Sequence, residues 1–288
     1  MEKLQAALEK ARNQRPAPSQ DRGTPAAPRS GPLAAALRHR PAPQDVRGAA
    51  WAALRPFVPD DRYLEKKRVV AFRGTHHATG FDILRTKTLQ MMAANGWKRL
   101  AITSPGAGSG KTTLTANLAA SIVRHPEITA ILMDMDMRRP SLGSVFVLPD
   151  ARSGTPGTSD VLEGQVPFAD QAWRIGENLL VSANTAALRT SAEVLHSRRA
   201  TEILADIQQT YDPALMIFDM PPMMVSDDTL GFMGQVDCAI LVAEYNVSTV
   251  DQIDQCEHAL SERTNVLGVV LNKSRFSDEE YGYGYGSY

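Results

Sequence analysis

Residues 98–123 read KRLAITSPGAGSGKTTLTANLAASIV, and this stretch decides the fold. KRLAITS (98–104) is an apolar run of strand length, and LTANLAASIV carries its apolar residues at helical spacing. Between them lies Pro105-Gly106-Ala107-Gly108-Ser109-Gly110-Lys111-Thr112-Thr113. Glycines let such a loop curl until backbone N–H groups converge on phosphate oxygens, and the helix N-terminus adds partial positive charge. Lys111 is spaced to reach β and γ phosphates, and the Thr112 hydroxyl to ligate Mg²⁺. The strict pattern has Gly where Pro105 stands, yet strand, loop and helix fall where the motif requires them. Gly106, Ala107, Gly108, Ser109, Gly110, Lys111, Thr112 and Thr113 are therefore the candidate nucleotide contacts.

Outward from the loop, apolar runs alternate with helical patterns. Strands are expected at 129–135, 178–183, 214–220, 237–245 and 265–272, and helices at 111–124, 192–210 and 248–262. A further helical pattern, FDILRTKTLQMMAANGW, precedes the first strand. The alternation predicts an α/β P-loop NTPase, a mostly parallel sheet with helices on both faces and its site along the strands' C-terminal edge. Two strand ends there are acidic: Asp134-Met135-Asp136-Met137-Arg138-Arg139-Pro140 and Asp219-Met220-Pro221-Pro222. In a strand, Asp134 and Asp136 project to the same face. Carboxylates ending apolar strands are costly without a partner, and a hydrated Mg²⁺ beside the loop supplies one. The expected metal contacts are Thr112, Asp134 and Asp219.

Composition bounds the rest. The 288 residues carry 31 Lys+Arg against 32 Asp+Glu, a net charge of -1, which gives no nucleic-acid signature. Two cysteines, Cys238 and Cys256, exclude a disulfide framework or a Cys-based zinc site. No run approaches the roughly 18 to 20 apolar residues of a membrane span, and the charged N-terminus is unlike a signal peptide. A cytoplasmic protein is expected. Residues 1–60 hold 9 of the 18 prolines and 10 Lys+Arg against 5 Asp+Glu, a composition that cannot offset its ordering entropy. That predicts a flexible tail with a short amphipathic helix at 2–12, a P-loop domain over 61–275 and a tyrosine-rich segment over 276–288. Trp51, Leu54 and Phe57 form an apolar cluster expected to pack on the domain. His76-His77 has no third ligand nearby, and Met91-Met92 and Met223-Met224 read as core filler.

In order and spacing, SPGAGSGKTT, ILMDMDMRRPSL and IFDMPP resemble the Walker A, A′ and B motifs of bacterial tyrosine kinases, the cytoplasmic autokinases of capsule and exopolysaccharide synthesis and export. The resemblance runs from about Phe81 to Lys273 and includes TSAEVLHS at 190–197 and GVVLNK at 268–273. It implies ATP and Mg²⁺ as cofactors and transfer of the γ-phosphoryl group to Tyr281, Tyr283, Tyr285 and Tyr288, on a neighbouring copy. It further implies Lys111 and Asp219 in the catalytic centre, Asp134 as base with Asp136 assisting, Arg138 orienting the acids, and Asn272 reading the adenine edge. A membrane-embedded polysaccharide chain-length or export adaptor is the implied partner, recruiting the chain to the inner face of the membrane. The pattern departs from the family before the first strand. There Thr79 and Asp82 stand where ring-forming relatives carry Glu and Arg, and only Arg85 is retained. Two rival readings are a ParA/MinD-like positioning ATPase and a nucleotide-dependent scaffold of an export complex. Gly106 occupies the place of the positioning ATPases' signature lysine, which separates the first rival from the kinase reading.

Overall fold

The structure is a computed structural model that describes residues 44–149 and 154–274. The expected helix at 2–12 and the tyrosine-rich segment lie outside these residues. Eight strands, β1 Arg55–Phe57, β2 Arg99–Thr103, β3 Ala130–Asp134, β4 Trp173–Ile175, β5 Leu179–Ser182, β6 Leu215–Asp219, β7 Cys238–Glu244 and β8 Asn265–Asn272, form one sheet. Their order is β1-β4-β5-β3-β6-β2-β7-β8. Pairing is parallel except between β4 and β5. The helices are α1 Gln44–Ala52, α2 Asp61–Lys66, α3 Thr79–Asn95, α4 Lys111–Val123, α5 Leu142–Phe146, α6 Thr158–Leu162, α7 Phe168–Gln171, α8 Ser191–Leu195, α9 Arg198–Tyr211, α10 Asp228–Phe232 and α11 Val250–Ser261.

Strand alternation divides the apolar side chains between two cores. Leu100 and Ile102 of β2 join Leu132, Ile217 and Ile240 beneath α3 and α4, where Met92 and Leu118 meet them. Ala101 turns the other way with Ile131, Met133, Met216 and Phe218, against Leu204 of α9, Phe232 of α10 and Leu260 of α11. β3 and β6 are buried at every position, which is why they read as continuous apolar runs rather than alternations. Residues Leu114 to Ile122 of α4 are likewise buried throughout, so this helix shows little amphipathicity.

Two expectations are corrected. The single helix expected at 192–210 is two helices, because Ser197 stops the first and caps the second, its Oγ accepting from the Ala200 amide at 3.0 Å. The boundary expected at residue 60 moves to before α1. Trp51 and Leu54 are buried, the Trp51 Nε1 donates to the Tyr211 carbonyl at 2.9 Å, and β1 pairs with β4. The apolar cluster thus packs as expected, and it brings α1 and β1 into the domain. Strands β1 and β4 were not legible in the sequence, since three residues are too few to show a period of two.

Candidate active site

Between β2 and α4 the backbone curls through two left-handed glycines, Gly108 at φ +87° and Gly110 at φ +83°. A side chain is strained at either, and a Cβ on Gly110 would run into the Asn272 amide. Hydroxyls brace the loop from within: Ser104 Oγ and Ser109 Oγ both donate to the Gly106 carbonyl, at 2.8 and 3.0 Å. The segment after β6 braces it from beside. Thr103 Oγ1 donates to the Pro221 carbonyl at 2.8 Å, and the Met223 amide donates to the Ser104 carbonyl at 2.8 Å. Pro105 is tolerated because its carbonyl, not an amide, is used there, accepting from the Met224 amide at 3.1 Å.

β3 and β6 are neighbours in register, and Asp134 lies directly opposite Asp219. Lys111 Nζ donates to Asp136 Oδ2 at 2.8 Å. Burial lowers the Lys111 pKa, but Asp219 and Asp136 outweigh it and the net shift is upward. Asp219 is raised, chiefly by burial, with Lys111 and the Thr112 and Thr115 hydroxyls pulling against it. Asp134 is pushed well above the usual carboxylate range, first by burial and then by Asp219 and Asp136. Lys111, Thr112 and Asp136 line a cavity of about 450 Å³ together with Gly108, Arg139 and Pro222, among others.

Three of the residues singled out in the sequence make defined contacts within the protein. Asp134 is fully buried, with one oxygen accepting from the Asp136 amide at 3.2 Å and the other from the Leu142 amide at 3.3 Å. Asp136 lines the cavity. Arg138 also lines the cavity, with its guanidinium held by buried Asp228 through Nε at 2.8 Å and Nη2 at 3.0 Å, where Ser191 Oγ also donates at 2.6 Å. The Asn272 amide is spent on the loop, Nδ2 donating to the Ser109 carbonyl at 2.8 Å. Thr112 stays at the cavity wall, its hydroxyl accepting from Ser141 Oγ at 3.2 Å, and Thr113 opens α4. Tyr281, Tyr283, Tyr285 and Tyr288 lie outside the described residues.

Residues the sequence did not single out hold this arrangement. Asn184 Nδ2 donates to the Asp134 carbonyl at 2.8 Å and its Oδ1 accepts from the Ser159 amide at 2.9 Å, locking the end of β3. Asn117 accepts from the Val70 and Ala71 amides and donates to the Arg68 carbonyl, fastening that segment to α4. Buried asparagines of this kind leave no periodic trace in a sequence. Arg85, retained from the ring-forming pattern, is buried and donates to Asp82 and to the Ser121 carbonyl.

A ParA family model, described as a NUBPL iron-transfer P-loop NTPase, matches residues 97–285. The chain belongs to the ParA family of P-loop NTPases. Membership implies that this NTPase binds nucleotide at the loop just described. EpsB of Ralstonia nicotianae, described as a candidate tyrosine-protein kinase, is 29% identical over 238 residues, 80% of this NTPase and 28% of EpsB. The NTPase thus spans little more than a quarter of that relative's length. The tyrosine-protein kinase YwqD of Bacillus subtilis is 28% identical over 193 residues, 66% of this chain and 78% of YwqD. The BceF tyrosine kinase domain shares the fold, with a TM-score of 0.60 at 22% identity, over 80% of this chain and 97% of that domain.

The donor set suits a hard cation. Buried Asp219 Oδ2 has no hydrogen-bond partner, Asp134 lies opposite Asp219 in the sheet, and Thr112 stands on the cavity wall. Among the described residues no group of three or more His, Cys, Asp or Glu side chains could hold a metal alone. The ion that fits is one completed by water and phosphate oxygens, as Mg²⁺ is in phosphate-transfer sites. No helix among the described residues is long and apolar enough to cross a membrane.

Proposed function

We propose that this chain is an ATP-dependent protein-tyrosine kinase acting on the tyrosines at 281–288 of a neighbouring copy, in the service of polysaccharide synthesis or export. The observation that carries the reading is Asp136, held 2.8 Å from Lys111 on the wall of the phosphate cavity. A carboxylate at that place can receive a proton from a hydroxyl attacking the γ-phosphorus. Relatives named as tyrosine-protein kinases support it, as does the tyrosine-glycine sequence.

Loop amides and Lys111 bind and orient the β and γ phosphates and offset charge as it develops. Thr112, Asp134 and Asp219 would hold Mg²⁺, which would supply further positive charge to the phosphate oxygens. The phenol oxygen attacks the γ-phosphorus and the bond to the bridging oxygen breaks, releasing ADP. Asp136 accepts the phenol proton, and because tyrosine has a pKa near 10, that transfer accompanies the attack. A membrane-embedded chain-length or export adaptor brings copies together at the inner membrane face. With Arg85 turned inward and Thr79 and Asp82 in the other two places, self-assembly into a ring has little support.

Full-length protein with labelled ATP, followed by phosphotyrosine mapping, tests the reading. Lys111→Met should keep the fold and reduce transfer by about 10²- to 10³-fold. Label released only as free phosphate would favour the positioning ATPase, the reading nearest the family's name.

A further inference from the structure

β8 is an outer strand among the described residues, eight residues long, and it pairs only with β7. Its sequence, NVLGVVLN, carries no charge to discourage further pairing. Beside it, between β8 and α3, runs an apolar groove of about 480 Å³ walled by Ile83, Leu84 and Met91 on one side and Leu267 and Val270 on the other. Ile83 is 52% exposed and Met91 41%. The groove also has gaps in its lining, because a Cβ on either Gly80 or Gly268 would meet nothing within 4 Å. A glycine on an edge strand is commonly covered by an aromatic side chain from the next strand.

Directly after β8, Lys273 adopts the left-handed conformation at φ +59°, fixed by the Asn272 side chain on its amide and by Glu244 on its Nζ. Such a residue at a strand end turns the chain aside, as in hairpin connections. Six residues, 275–280, are ample to complete a reversal, and 281–288 then equal β8 in length at about 26 Å. Their sequence, YGYGYGSY, places Tyr281, Tyr283 and Tyr285 on one face of a strand and the intervening glycines on the other. Tyr288 falls on the glycine face.

We propose that residues 281–288 of the same chain add an antiparallel ninth strand to β8 and store the phenols of Tyr281, Tyr283 and Tyr285 in the groove. A tether of six residues gives this segment an effective concentration in the millimolar range, above that of any second copy in dilute solution. A phosphate cannot be accommodated in an apolar groove, so phosphorylation of any stored phenol prevents the strand from re-docking. The regulatory sense, that acceptors are withheld until released, rests on the kinase reading; the docking does not.

Hydrogen exchange of the β8 peptide, compared between full-length protein and a form truncated after Glu280, tests the docking directly. The full chain should exchange about tenfold more slowly at β8, equally at low and high protein concentration. Ile83→Asp, with the segment intact, should remove the same protection. Equal exchange in all forms would overturn the proposal, and protection that fades on dilution would assign the edge to a second copy. With labelled ATP, Tyr288 should be phosphorylated first, and Ile83→Asp should raise early label at Tyr281, Tyr283 and Tyr285 about fivefold. Loss of protection in Ile83→Asp without label anywhere would leave the docking standing and remove the kinase reading.

Discussion

The centre of the sheet and its outer strand invert the usual partition of polar and apolar groups. In β3 and β6 the chain is driest, and there it places two facing carboxylates, Asp134 and Asp219, both with no exposed surface. In β8 it is wettest, and there Val269 is 44% exposed and Leu271 51%. Burying unneutralised carboxylates opposes folding, and exposing branched aliphatics forgoes stabilisation. Each departure marks a partner that completes it: phosphate and cation charge at the centre, a further strand at the edge. A cost in stability on its own does not identify function, but two costs of different kind on one sheet, one polar and one apolar, point to two different ligands.

The largest effect comes from abolishing the charge at the centre. Asp219→Asn should reduce phosphoryl transfer about 100-fold, on the scale of losing one preorganised charged contact. The same change should raise the melting temperature of the nucleotide-free protein by about 2–4 °C, read by calorimetry. The sign follows from the raised carboxyl. A carboxylate whose folded pKa lies above its unfolded value stabilises the fold only at low pH, and that contribution is lost as pH rises. The gap between variant and parent should therefore open above about pH 4, the unfolded value, and widen upward. A parent more stable than the variant at neutral pH would show that Lys111 fully compensates Asp219.

Arg138 sharpens the contrast, because Asp228 is a buried carboxylate that the fold does neutralise. Burial pushes the Asp228 pKa up, but the Arg138 and Ser191 hydrogen bonds outweigh it and the net shift is downward. Arg138→Ala should cost about 2 kcal/mol by urea unfolding at pH 7, reduced from the full value for a buried pair because Arg138 is partly in water. That deficit should shrink as pH falls below about 4, since a depressed carboxyl contributes only above its folded pKa. The smallest effect belongs to the edge. In the form truncated after Glu280, Leu271→Lys should change stability by less than about 0.5 kcal/mol, and a larger loss in the full chain would show the position to be covered by the added strand.

Legibility followed the length and the chemistry of each signal. The loop from Gly106 to Thr113 was readable because its glycines, lysine and threonine are fixed by phosphate geometry and flanked by a strand and a helix long enough to recognise. Strand β8 was readable to the residue, 265–272 in both readings. The break at Ser197 was not, since a serine inside a helical pattern becomes a cap only when the next element changes direction. The acidic end of β3 was half legible: DMD places two carboxylates on one face, but only the β3–β6 register and the Leu142 amide decide that Asp134 is enclosed and Asp136 lines the cavity.

Sequence by itself determined the phosphate loop, the acidic strand ends, the parallel sheet and the period-two tyrosines, because each is a local pattern whose meaning depends on residues a few places apart. Tertiary structure alone decided which carboxylate is shut in, that Arg138 serves Asp228, that Asn272 and Asn184 hold backbone, and which strand is left at the edge. Those are contacts between residues 50 to 163 positions apart, set by which strands become neighbours, and strand order is a property of the packed whole that no window of sequence contains.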